Sequence, residues 1–103
     1  MLMTTTPGVE GRPAKAILGI VTGEAVSLRT LNDLGASLQN IGSDTSPVAE
    51  KNLFLAQERA LKKLEDRAKE LGADAVVGVS FNGSSTGVGM LVFAAGTAVK
   101  LAP

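Results

Sequence analysis

Between Lys15 and Leu28 apolar residues fall on both parities of an extended chain. Ile17 and Val21 lie on one parity; Leu18, Ile20, Val26 and Leu28 lie on the other. A strand apolar on both faces is expected to be covered on both faces. Gly19 and Gly23 within it are candidate sites of a bulge or of a close backbone approach. The pattern then changes period. Leu31, Leu34, Leu38 and Ile41 follow helical spacing, with Thr30 as a cap and Gly42 as a stop. The clearest helix comes next. Ser46 can cap it, Pro47 suits its first position, and Gly72 ends it. Its apolar stripe runs through Leu53, Ala56, Ala60, Leu64, Ala68 and Leu71, widened by Phe54 and Leu61. The opposite face is charged and reads as solvated, with Glu58–Lys62 and Glu65–Lys69 in the favourable i, i+4 order. At 1.5 Å per residue this helix would be roughly 37 Å long.

Two further strands close the chain. "DAVVGVSFN" (Asp74–Asn82) is one, "GSSTG" reads as a hairpin loop, and "VGMLVFAAGTAVKL" (Val88–Leu101) is the other. The last strand is apolar on both parities and so belongs in the middle of its sheet. A short β-prone segment, Met3–Thr6, precedes the turn at Pro7-Gly8. The order of elements predicts a single α+β domain over residues 1–103. One long helix lies across a sheet, with the main strands ordered first, last, middle.

Composition narrows the function classes. Ten basic and ten acidic residues give zero formal net charge, and the chain has three Phe but no Trp or Tyr. Nucleic-acid binding, which needs a basic surface and stacking aromatics, is not expected. No Cys and no His remove thiol chemistry, Ser-His and Cys-His pairs, and the softer metal ligands. The apolar runs are too short and too broken to span a bilayer, and "MLMTTTPGVEG" lacks the pattern of a signal peptide. A cytoplasmic protein with no membrane partner is expected. An apolar fraction of 45% at zero net charge leaves a lone monomer poorly protected, so self-association is expected.

Five blocks of this sequence resemble one family. They are "TTT" (Thr4–Thr6), "VEG" (Val9–Gly11), "LGIVTGEAV" (Leu18–Val26), "LGADAVVGVSF" (Leu71–Phe81) and "GTAV" (Gly96–Val99). In this order they are similar to the YbjQ family of small bacterial and archaeal proteins, whose function is uncharacterised and which is often titled heavy-metal-binding. The resemblance implies a two-layer βαββ unit of dodecin-like topology with added short strands, assembled as a ring-shaped homopentamer. No cofactor is expected. Dodecins stack flavin on Trp, a mode this chain cannot use.

Two carboxylates, Glu10 and Glu24, fall inside these blocks beside glycine and are the candidate ligand-binding residues. One reading has them line a pocket between subunits, where a ring of carboxylates could hold a hard divalent cation. The other has them paired structurally with backbone N–H groups or with Arg12, Lys15 or Arg29. No metal site within one chain is expected. The glycines of "GVSFNGSSTGVG" lead from strand to strand rather than into a helix, so they do not form a phosphate loop. Ser84, Ser85 and Thr86 have no histidine to activate them. The expectation is therefore a non-enzymatic, homo-oligomeric binding or scaffold protein, with a shared-carboxylate metal binder as the alternative.

Overall fold

The computed structural model describes residues 1–28, 47–86 and 89–103. The short helix expected over Thr30–Ile41, with Gly42, Ser46 and Arg29, lies outside the described residues. Strands β1 (Leu2–Met3), β2 (Ala14–Leu28), β3 (Ala75–Thr86) and β4 (Gly89–Leu101) form one sheet, and helix α1 (Pro47–Glu70) packs on one of its faces. The strand order is β1-β3-β4-β2. β4 is antiparallel to both neighbours, and β1 is parallel to β3. The three main strands thus take the order first, last, middle, and β4, apolar on both parities, is central.

The core is a seam of small residues. Ala56, Ala60, Leu64 and Ala68 of α1 are fully buried against Val21, Ala25, Val76, Val79, Val92, Ala94 and Ala98 of the sheet. The 3.6-residue period places the first four on one stripe, and period 2 places the sheet residues on one face. Because alanine and glycine leave so little side chain, the helix settles close to β2. A Cβ built on Gly23 would fall on the carbonyl oxygen of Ala60 and 2.7 Å from the nitrogen of Leu64. Two stripe positions depart from the expected pattern: Phe54 is 58% exposed and Leu71 48% exposed. Leu71 follows the last helical residue, and there the chain has already turned. Ala73 N–H bonds the carbonyl of Ala68 and Gly72 N–H that of Lys69, with Gly72 at φ +77°. This is the Schellman ending that glycine permits.

Three register shifts adjust the strands, the first at Lys15, between Ala14↔Leu101 and Ala16↔Lys100. Ile17 faces Val99 and Gly19 faces Ala98, so Leu18 is an extra residue in β2. It turns towards the helix side, while Ile17 and Ile20 both lie on the far face. The bulge thus falls at Leu18, five residues before Gly23. In β3, Gly78 (φ +62°) and Val79 occupy the interval between Val77 and Ser80. Gly78 in a left-handed conformation is the usual first residue of such a bulge. The "GSSTG" stretch is also corrected: β3 stays paired with β4 as far as Thr86↔Gly89. Gly and Ser weaken strand propensity, but a continuous ladder to an apolar partner outweighs it here.

The two faces of the sheet are unequally covered. On the face away from α1, Ala75, Val77, Val99 and Leu101 form a small second core under Val9. Farther along the same face Ile17 is 74% and Ile20 80% exposed, with Val26 and Phe93 also exposed. Among the described residues, β2 is therefore covered on one face only.

Candidate functional site

Glu24 lies opposite Phe93, on the far face with Ile20 and Val26. β2 is the outer strand, so a side chain from α1 can reach round its edge. Arg67 does so. Its Nη1 donates to Glu24 Oε2 and its Nη2 to Glu24 Oε1, both at 2.8 Å. The same Nη1 donates to the Thr22 carbonyl at 2.7 Å. Such a two-pronged pair fixes both carboxylate oxygens. Arg67 stands one turn before the end of α1, and the helix lies mainly over β2 and β4. None of Arg12, Lys15 or Arg29 is needed to satisfy the acid; its partner comes from the same chain, across the helix–strand packing.

The Arg67 guanidinium, bonded directly to the carboxylate, holds Glu24 below the usual value of 4.5, with Lys63 adding a smaller pull. A lowered folded-state pKa contributes stability that is fully present above the unfolded value and is lost as pH falls through the folded one. Glu65, beside Lys69, and Asp74, which accepts the Leu101 N–H at 3.0 Å, are lowered in the same direction. The stability of Glu24→Gln should therefore differ from wild type at pH 7 and converge on it as pH falls below about 4. Urea unfolding across pH 7 to 3 tests this; parallel curves would remove Glu24 from the acid response.

Glu10 sits elsewhere. Arg12 N–H bonds the Val9 carbonyl at 3.1 Å, so Glu10 and Gly11 are the central residues of a β-turn. Glu10 is exposed at its tip, just ahead of Ala14. From Ala14 to Glu24 is about 30 Å of strand at 3.3 Å per residue. The two candidate carboxylates are thus not brought together within one chain. Arg12, beyond the turn, donates to the Ala102 carbonyl at 3.1 Å.

The "TTT" block has a backbone role. Thr4 N–H bonds the Val76 carbonyl, Gly78 N–H bonds Thr6 and Val79 N–H bonds Thr4, which covers the outer edge of β3 across its bulge. The hydroxyls lock the segment: Thr6 Oγ1 donates to the Gly8 carbonyl at 2.7 Å and accepts from Thr4 Oγ1 at 2.8 Å. Beside it, Met3, Thr4, Thr5, Leu61, Val79 and Phe81 line an open apolar groove of about 210 Å³. Ligand sites commonly run from about 300 to 1,000 Å³. The groove is small and has no convergent charge. Among the described residues, no group of three or more acidic, His or Cys side chains could hold a metal ion. No described helix is long and apolar enough to cross a membrane.

A family model described as "Putative heavy-metal-binding" matches residues 1–102. A UPF0145 protein of Synechococcus sp. (strain JA-3-3Ab) is 46% identical over 102 residues, covering 98% of this chain and 99% of that protein. A UPF0145 protein of Corynebacterium jeikeium (strain K411) is 42% identical, covering 96% and 97%. Among solved structures, a protein of unknown function from Pediococcus pentosaceus, placed in the DUF74 family, is similar with a TM-score of 0.68. That likeness covers 99% of this chain and 98% of the other at 18% identity, and so concerns the fold alone. The match across nearly the whole chain, together with relatives above 40% identity, means that the chain belongs to the YbjQ (UPF0145) family.

Proposed function

We propose that this chain is a subunit of a ring-forming homo-oligomer, a pentamer of dodecin-like subunits by its family resemblance. It acts as a non-enzymatic binding or scaffold protein whose ligand site is built between subunits. The observation that carries this reading is the uncovered far face of the sheet. Ile17 and Ile20 stand 74% and 80% exposed there, on a chain of zero net charge. Adjacent exposed apolar residues on a regular sheet mark an interaction surface, and a second copy is the partner always at hand. The small open groove and the widely separated carboxylates support a site completed only by assembly.

Light scattering at micromolar concentration tests the reading. The expected mass is a multiple of the 10.5 kDa subunit, five for the pentamer. Ile17→Glu/Ile20→Glu should weaken assembly at least ~100-fold while keeping the helical circular dichroism, since charges buried without partners are costly. A wild-type mass of one subunit would overturn the proposal.

The alternative is a divalent cation held by carboxylates of several subunits, and the family description favours keeping it in view. Both oxygens of Glu24 are engaged by Arg67, so Glu10, exposed at its turn, is the stronger contributor. Calorimetry with divalent cations on wild type, Glu10→Gln and Glu24→Gln separates the two readings. Binding that only Glu10→Gln abolishes supports the alternative; no heat with any cation eliminates it.

A further inference from the structure

The two edges of the sheet are treated differently. β1 and Thr4–Thr6 cover the β3 edge with backbone. Among the described residues, no such strand lies beside the β2 edge. An outer strand of fifteen residues is a long template for pairing with another strand. Along Thr22–Val26, however, two of the edge carbonyls are taken. Arg67 donates to Thr22 at 2.7 Å, and Arg59 donates to Val26 at 3.2 Å. Thr22, Glu24 and Val26 share one parity, and alternate residues of an edge strand turn their backbone groups outward.

The spacing makes this a repeating fit. Arg59, Lys63 and Arg67 form one i, i+4, i+8 row on α1. Four helix residues rise about 6.0 Å and two strand residues about 6.6 Å, so the row runs in step with Val26, Glu24 and Thr22. Glu24 anchors Arg67 in place with both oxygens, and the Lys63 charge acts on that carboxylate.

We propose that Arg59 and Arg67 are edge guards: they occupy two outward carbonyls of β2, those of Val26 and Thr22, and exclude the β2 strand of a second copy from pairing there. The excluded contact is antiparallel β2-on-β2 addition centred near Glu24, which would join the same stretch of both chains and bring two rows of cations together. The guard leaves association to the far face of the sheet. It operates on any form of the protein, ring or monomer, and so is independent of the assembly proposed above.

The test is Arg59→Ser/Arg67→Ser in the full chain, with Arg59→Lys/Arg67→Lys and Leu64→Ala as comparisons. Light scattering and thioflavin T fluorescence are followed at a temperature where all variants retain wild-type circular dichroism. The serine variant is expected to grow beyond the wild-type mass with rising concentration, with at least a ~10-fold increase in thioflavin signal. The lysine variant, which keeps the donors and the charges, and Leu64→Ala, destabilised away from the edge, should keep the wild-type mass. A serine variant of wild-type mass overturns the proposal. Equal growth in Leu64→Ala also overturns it, because association would then follow lost stability rather than the opened edge. The wild-type mass itself reads the ring proposal separately.

Discussion

Gly23→Ala is expected to destabilise the protein by about 3 kcal/mol, a fall in Tm of roughly 12–24 °C. The added methyl would meet the backbone of Ala60 and Leu64, not the end of a movable side chain. No rotamer change relieves that clash. Either α1 lifts from β2 along the seam of Ala56, Ala60 and Ala68, or the strand bends. Gly8→Ala is the matching control, since a Cβ there meets nothing within 4 Å; it should change stability by less than about 0.5 kcal/mol. Thermal unfolding of the two variants decides the matter. If Gly23→Ala melts with Gly8→Ala, the close helix–strand approach is wrong.

Leu64→Ala is expected to cost about 3–4 kcal/mol, towards the upper part of the range for buried leucine. Leu64 is the one large side chain on a helix row otherwise built of buried alanines. Its neighbours Ala60 and Ala68 have no length with which to fill the space it would leave, and Gly23 opposite has no side chain at all. The cavity should therefore persist. Urea unfolding should show a lower midpoint with an unchanged slope, because the surface exposed on unfolding barely changes. A loss below about 1 kcal/mol would mean that the helix settles into the gap.

The sequence makes some of these features plain because they depend on local repetition. Ala56, Ala60, Leu64 and Ala68 recur at helical spacing, and Gly72 supplies the stop. The central place of β4 follows from its two apolar parities. Other features depend on contacts distant in the chain. The partner of Glu24 is Arg67, 43 positions away, and only the placing of α1 over the outer strand makes that pair possible. Nearby arginines and lysines are the natural candidates when sequence separation is the sole guide. Phe54 fits the apolar stripe by period, yet it stands exposed, since period gives a side chain's direction without saying how far the opposing sheet extends. Gly83–Thr86 has the composition of a loop, and its strand pairing comes from β4. The candidate site was legible in part for the same reason: the two carboxylates could be named from their blocks, but the distance between the Glu10 turn and Glu24 on β2 is a matter of geometry.

Leu18, an extra residue in β2, acts as a phase shift. Before it, the odd-numbered Ile17 looks away from α1; after it, the even-numbered Ile20 and Glu24 do. Deleting Leu18 itself would only restore regular alternation and leave the later faces unchanged. A one-residue insertion in the regular stretch just beyond it would not lengthen the strand harmlessly. It would exchange inside for outside along everything beyond, sending Glu24 under the helix and Val21 into water. Changes of chain length in β2 are thus confined by frame, much as in a reading frame. The identity of each later residue has meaning only relative to the bulge.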